Sequence, residues 1–422
     1  MPLITKKALL GSCLAISMAL APTLASATTL SLVSWMKDDP SYGPWWQAVI
    51  DKFQETHPGD TIDWTKVDRS SYATTMYTMF AADSPPDIVH LASFEYQAFA
   101  NEGWLENLDP WIEKAGMNLD GWAGQSTCQW NGETNCIMLL YTGYVLAYNE
   151  KLLKDAGIDK APTTAAEFLA AAQATTKDTD GDGVTDQYGV GLPAKDKAGM
   201  MYGVLGFTLD AGGRFTDADG NPTFDSAPVI DGLTKIKQIY DDGLMPKEQS
   251  SGDIRQLFSE GKIAMTVDGP WIYGTMQSAS DEEKPNLKLT MPPFAPPVGG
   301  TSNVIGMPSD LAAEKKQLVW EFIQIATSQE FQQKFAEIAK QPAPMPGLDY
   351  SAQIAADPNF ALFIKSNEAA SAANVDRLPK GLEVQFNQVQ DIFFQNLQRM
   401  FIENLDPAQA AKNIQDEVVA IE

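Results

Sequence analysis

The chain has few of the residues from which catalytic and transition-metal sites are usually built. Its 422 residues include three cysteines and two histidines. His57 and His90 alone cannot supply the imidazole cluster of a transition-metal centre. Positive charge is scarce as well: 30 Lys and Arg stand against 55 Asp and Glu, a net charge of −25. A surface this acidic argues against nucleic acid and anionic membrane as partners. No G-x-S-x-G elbow, H-E-x-x-H pair, P-loop or dinucleotide fingerprint occurs. Glycoside hydrolysis needs two carboxylates at a set separation, and among 55 acids some pair always exists, so that count says nothing. The expectation is a protein that is not an enzyme and requires no cofactor.

Only one long apolar run is present, Ala8 to Leu24. Lys6 and Lys7 precede it and Ala25-Ser26-Ala27 follows it, which reads as a cleavable secretory signal peptide over residues 1–27. Leu10-Gly11-Ser12-Cys13 has the look of a lipoprotein box. The apolar run continues past Cys13 instead of ending before it, so a lipid tether there is not the expectation. No other run reaches the 18 or so apolar residues that span a bilayer. The chain after residue 27 is long for one core, and two lobes are expected.

Export bears on the two remaining cysteines. Cys128 and Cys136 flank QWNGETN, a hairpin signal centred on Asn131-Gly132. In an oxidising compartment a disulfide follows, with two free thiols as the alternative.

Strand and helix signals alternate through the first part. TLSLVSWM, TIDWTKV and DIVHLAS read as strands; WWQAVIDKFQETHPG and SSYATTMYTMFAADSPP read as helices. That alternation predicts α/β crossover units and a mostly parallel sheet. PPFAPPVGG and QPAPMPG are stiff, proline-rich crossings. LEVQFNQVQDIFFQNLQRMFI is a long amphipathic helix near the end.

In KDTDGDGVTDQYG, acids fall at positions 1, 3, 5 and 9 counted from Asp178. Asp178, Asp180, Asp182 and Asp186, with the Val184 carbonyl at position 7, match the spacing of a calcium loop. Position 12 is Gly189, not the bidentate Glu, and Val190 begins a β-like run. A structural Ca2+ remote from any ligand site is one reading. A solvated Asp/Gly turn is the other.

DGPWIYG follows the strand-like GKIAMTV and places Trp271 and Tyr273 where a strand stops. Rings at a strand mouth are placed to be touched. The order of such pieces resembles the extracellular solute-binding proteins of ABC importers, in the sugar-binding branch that includes the maltose-binding protein. SPPDIVHL with FANEGWLENLDPWI resembles the family's PD-strand and following helix. YVLAYNEKLLKDAGI resembles its YN-x-x-L segment, LDAGGRFTDADGNPTFDS its GG insert, FSEGKIAMTVDGPW its F-x-x-G-x-A-A-M signature, and VWEFIQIATSQEFQQKF its late helix pair.

The resemblance implies a two-lobed periplasmic-binding-protein fold of type II, with discontinuous lobes, hinge crossings and a ligand cleft between them. It places 28–141 with 296–340 in the N-terminal lobe and 142–295 with 341–422 in the C-terminal lobe. It implies capture of a mono- or oligosaccharide, delivery to ABC permease subunits in the membrane, a periplasmic location and a monomer. Ligands of such sheets bind beyond the strand ends. The candidates are therefore Trp35, Lys37 and Asp38; Ser93, Phe94 and Glu95; Tyr141 and Thr142 at the first crossing; Trp271 and Tyr273; and Phe386 on the late helix. Trp271 and Tyr273 suit the apolar face of a sugar ring. Leu91, Phe94, Glu95 and Thr142 depart from the maltose-binding pattern, so maltose is not carried over. A polyamine would use Asp38, Glu95 and Asp268, whereas a glycerol phosphate would want basic groups, and the strand mouths offer Lys37 and Arg69.

Overall fold

The computed structural model describes Met1 and residues 27–299, 301–373 and 378–421. The signal-peptide reading and Cys13 therefore lie almost wholly outside the described residues. Among the described residues no helix is long and apolar enough to cross a membrane.

Two sheets organise the molecule. In the first, strand Thr29–Ser34 pairs in parallel with Thr61–Lys66, and a parallel bridge from Leu32 to Ile88 joins it to Val89–Ala92. Thr301–Gly306 then runs antiparallel between Val89–Ala92 and Ile137–Thr142. The second sheet has the order Leu287–Thr290, Val145–Asn149, Ile263–Asp268, Tyr188–Val190. Only its last pairing is parallel. Both sheets are mixed, which corrects the expectation of a mostly parallel sheet. The cause is the chain exchange between the sheets. Val145–Asn149 and Thr301–Gly306 each enter from the opposite sheet and lie against the local direction.

The first sheet is covered by helix Gly43–Thr56, which buries Trp45, Trp46, Val49, Ile50 and Phe53 along one face. These meet Phe322 and Phe335 of the later helices Ala313–Ala326 and Gln329–Ala339. Trp45 Nε1 donates to the Phe331 carbonyl at 2.8 Å, so the indole is buried without an unpaired polar atom. Each fully buried ring of this kind contributes about 2–3 kcal/mol. The second sheet is packed by Lys197–Asp210, Ala227–Asp241 and Phe386–Ile402.

The chain passes from the first sheet to the second over Gly143 and Tyr144, between adjacent strands of different sheets. It returns between Thr290 and Thr301. Ala343, Met345 and Leu348 still pack in the first core, whereas Phe363 packs beside Val145 and Ile263. The third passage lies between them. The hairpin forms around Asn131 and Gly132, both with positive φ, as a two-residue turn demands. Cys128 and Cys136 are disulfide-bonded at its base, with Cα atoms 5.1 Å apart, and both are buried.

Candidate ligand cleft between the lobes

A cleft of about 1280 Å³ opens between the two sheets. Its wall on the second sheet is built around the end of strand Ile263–Asp268. Asp268 accepts from Arg255 Nε at 2.6 Å and from an Arg255 terminal nitrogen at 3.2 Å, a bidentate pair. The same carboxylate accepts from Trp271 Nε1 at 2.7 Å and from the Gly269 amide at 2.8 Å. The indole is thereby fixed over Gly269. A Cβ at residue 269 would lie 2.2 Å from the ring, so the fold of this turn requires glycine there.

Arg255 reaches Asp268 because of how its helix starts. Ser250 and Asp253 form a reciprocal capping box at the head of Ser251–Ser259, and Ser251 donates to Asp196 at 2.8 Å. The Arg255 guanidinium lies 5.6 Å from the Trp271 ring centre. Burial works against its charge, but Asp268's attraction and hydrogen bonds outweigh it and hold its pKa up.

The facing wall, on the first sheet, repeats this chemistry. Arg69 donates to Glu95 Oε1 at 2.6 Å and lies 4.9 Å from the Trp35 ring. Trp35 stacks on His90 at 4.2 Å and meets the edge of Tyr72 at 4.6 Å. Tyr72 is fixed in turn by its hydroxyl, which donates to the Val33 and His90 carbonyls at 2.8 and 2.6 Å. His90 is fully buried, and burial, aided by the Arg69 charge, lowers its pKa to about 3. Each lobe thus presents a tryptophan, an arginine over the ring and a carboxylate on the arginine. Tyr144 stands edge-on to Trp271 at 5.9 Å and stacks with Tyr202 at 4.2 Å. Asn303, Gln385, Asn387, Gln388 and Gln390 add neutral polar groups to the lining.

Of the residues singled out in the sequence, Trp35, Phe94, Glu95 and Trp271 line this cleft, as do Arg69 and Asp268, named for the phosphate and polyamine alternatives. The others do not. Lys37 turns to the neighbouring strand, where its Nζ donates to the Trp64 carbonyl and faces the Trp64 ring. Asp38 pairs with Lys66 at 3.1 Å on the surface. Ser93 and Thr142 are buried off the cleft. Tyr141 points back into the core around the disulfide, against Gly124. Tyr273 sits inside the short helix Ile272–Gln277 and faces Phe363 at 6.2 Å. Burial, together with a hydrogen bond to Asp357, pushes its hydroxyl pKa up. Phe386 lies behind Phe94, with the rings edge to face at 5.9 Å. Strand-end position selected Lys37, Asp38, Ser93 and Tyr273, and the family resemblance selected Tyr141, Thr142 and Phe386; neither fixes which way a side chain leaves the turn, crossing or helix.

Sequence reading missed Arg255, Tyr144, Tyr202, Asn303 and Gln390. Tyr144 stands three residues after Tyr141 at the first crossing, which was a usable signal. Nothing local links Arg255 to Asp268 across an intervening turn and strand.

The acidic loop lies elsewhere. Carboxylate oxygens of Asp178, Asp180 and Asp186 come within 4.8 Å of one another, the only such group among the described residues. The donor set is oxygen, as Ca2+ requires. Asp178 already accepts from the Gly181 and Gly183 amides, and Asp186 accepts from Thr179. Asp182 is engaged with the Val184 amide, Val184 is exposed, and Gly189 is packed against Ala172 in a strand. The set therefore fits a calcium loop only in part.

Two α/β lobes, exchanged strands and one ring-lined cleft between them define a two-lobed binding protein of the type II periplasmic class. The chain belongs to the bacterial extracellular solute-binding protein family, which matches residues 37–333. It is 22% identical over 312 residues to the diacetylchitobiose-binding protein DasA of Streptomyces coelicolor, covering 72% of this chain and 70% of that one. A solute-binding protein of Thermotoga lettingae bound with α-D-tagatose superposes with a TM-score of 0.80 at 22% identity, over 94% of this chain and 100% of that one. The GacH receptor of Streptomyces glaucescens, solved unliganded and with acarbose, gives 0.79 at 19% identity, over 93% and 98%.

Proposed function

We propose that this chain captures a neutral carbohydrate in the cleft between its lobes and delivers it, from the periplasm and as a monomer, to an ABC permease. It performs no chemistry. The observation that carries the reading is the paired state of both cleft arginines. Arg69 is matched by Glu95 and Arg255 by Asp268, and each guanidinium lies over a tryptophan. An anionic phosphate would need a free cation, and a polyamine would need free carboxylates. At the two tryptophan walls each charge has its partner, and what remains there are rings and amides, the groups that meet a sugar's C–H faces and hydroxyl rim, while Asp39, Asp68, Glu102, Asp196 and Lys195 also line the cleft. The cleft exceeds the roughly 300–1000 Å³ of a usual small-molecule pocket, which favours an oligosaccharide. Both lobes touch the ligand only when closed, so binding shifts the population toward the closed form. A Ca2+ in the acidic loop, if bound, would have a structural role only.

The test is a thermal-shift screen of the exported chain against diacetylchitobiose, maltotriose, α-D-tagatose, glycerophosphocholine, spermidine and Ca2+. A sugar at 100 times its Kd adds about 2.7 kcal/mol of stability. A shift with spermidine or glycerophosphocholine and with none of the sugars would overturn the reading.

A further inference from the structure

We propose that Glu95 and Gln390 together read a single hydroxyl of the ligand, each from its own lobe. The inference rests on the carbohydrate reading and sharpens it. Both residues line the cleft and both are more than nine-tenths buried. Glu95 gives one carboxylate oxygen, Oε1, to Arg69 at 2.6 Å. Its other oxygen, Oε2, is buried with no hydrogen-bond partner. Gln390 Nε2 is likewise buried with no partner. One is an orphan acceptor and the other an orphan donor.

Both stand next to one ring contact between the lobes. Glu95 directly follows Phe94 on the first lobe, and Gln390 lies one turn beyond Phe386 on helix Phe386–Ile402 of the second. The Phe94 and Phe386 rings touch edge to face at 5.9 Å, so the two orphans flank one contact between the lobes. A side chain four residues along a helix shares the face of the first.

Buried polar atoms left unpaired destabilise a fold, so a pair retained in a cleft is best explained by a ligand that satisfies both. The chemistry of the pair selects that ligand. A carboxylate oxygen can only accept and an amide nitrogen can only donate. A hydroxyl does both at once, donating to Glu95 Oε2 and accepting from Gln390 Nε2. An ammonium group could serve Glu95 alone, and a phosphate oxygen Gln390 alone. A ligand lacking that hydroxyl leaves both atoms unpaired, the arrangement that gives the sharpest discrimination between close analogues. Because the partners lie on opposite lobes, the same hydroxyl also ties the lobes closed.

The experiment is a double-mutant cycle by isothermal titration on the full exported chain, with the sugar that gives the largest shift in the screen above. The variants are Gln390→Met, Glu95→Gln and both together. Each single variant should weaken the sugar at least tenfold. The double variant should be little worse than the weaker single one, because one shared hydroxyl is lost only once. Gln390→Met should leave the unliganded melting midpoint unchanged or higher, since it removes an unpaired buried donor. A Gln390 with a structural role would instead give a lower midpoint. Affinity within twofold of the parent in Gln390→Met, or strictly additive losses, overturns the proposal and leaves carbohydrate capture standing. If spermidine or glycerophosphocholine shifts the parent chain and no sugar does, the carbohydrate reading falls and this proposal falls with it.

Discussion

Asn367 holds the backbone of Gly143. Its Oδ1 accepts from the Gly143 amide at 2.6 Å, and its Nδ2 donates to the Tyr141 carbonyl at 2.9 Å. The neighbouring Ser366 hydroxyl donates to the Tyr144 carbonyl at 2.6 Å. A side-chain amide thus stands in for a strand partner at the point where the chain leaves one sheet for the other. Gly143 has to be glycine here, since a Cβ would fall 2.2 Å from Ser366 Oγ.

Asn367→Ala removes both amide contacts and takes this acceptor from the Gly143 N–H at the crossing. A loss of about 1–3 kcal/mol in stability is expected, read as a lower urea midpoint. Spin labels on the two lobes should also show a broader distance distribution without ligand. A distribution as narrow as the parent's would mean that the amide does not restrain the hinge.

Asp268 organises the second wall, and its removal should be felt twice. Asp268→Ala leaves the Arg255 charge without its partner and frees the Trp271 indole. Arg255 is 26% exposed, so the destabilisation should sit at the low end of the range for a broken buried pair, about 3 kcal/mol. Ligand affinity should fall with it. Trp271→Ala should instead abolish the sugar-induced thermal shift while moving the unliganded midpoint much less. If Trp271→Ala keeps the full shift, the ring is packing and not a stacking surface.

The hairpin with its disulfide and the ring at Trp271 were legible in the sequence because each is a local pattern, whereas the two-lobe plan came from chain length and the family resemblance. Asn131-Gly132 demands a tight turn wherever it stands between strands, and the two cysteines follow from that turn. Sheet direction was not legible. Val145–Asn149 and Thr301–Gly306 look like any other strand, and their antiparallel pairing is set by which sheet the chain has just left. The site was legible only in part for the same reason. Trp35 and Glu95 stand at strand mouths, whereas Arg255 and Gln390 reach the cleft from helices whose docking is a tertiary matter. Lys37 and Tyr273 sit at equally good sequence positions and are turned away by a single residue of rotation.

His90 should make the protein sensitive to acid. Its pKa is lowered to about 3 by burial, against an ordinary value near 6.5, so in the folded chain it stays neutral while the unfolded chain takes up a proton. Stability from this group is complete above pH 6.5 and is lost as pH falls from there to about 3, with a slope of about 1.4 kcal/mol per pH unit. Both ring nitrogens lack partners, so His90→Leu should cost little at pH 7.5. Its melting midpoint should decline less steeply than the parent's between pH 6 and about pH 4. Parallel acid limbs for the two proteins would place the acid sensitivity in other groups.

Gly274 marks a place where the lobes meet. It lies in helix Ile272–Gln277 beyond the second sheet, and a Cβ there would come within 2.9 Å of Ser41 Oγ, which precedes helix Gly43–Thr56 on the first. Alanine favours a helix over glycine by up to about 1 kcal/mol, so Gly274→Ala should not lower the unliganded midpoint. A larger side chain must push the lobes apart. Gly274→Leu should therefore weaken ligand binding tenfold or more, mainly through a faster off-rate, because the closed form is the one it opposes. Stability and affinity would then separate, as expected of a wedge and not of a damaged core. Unchanged affinity in Gly274→Leu, measured by titration with the same sugar, would show that closure does not bring Ser41 and Gly274 together.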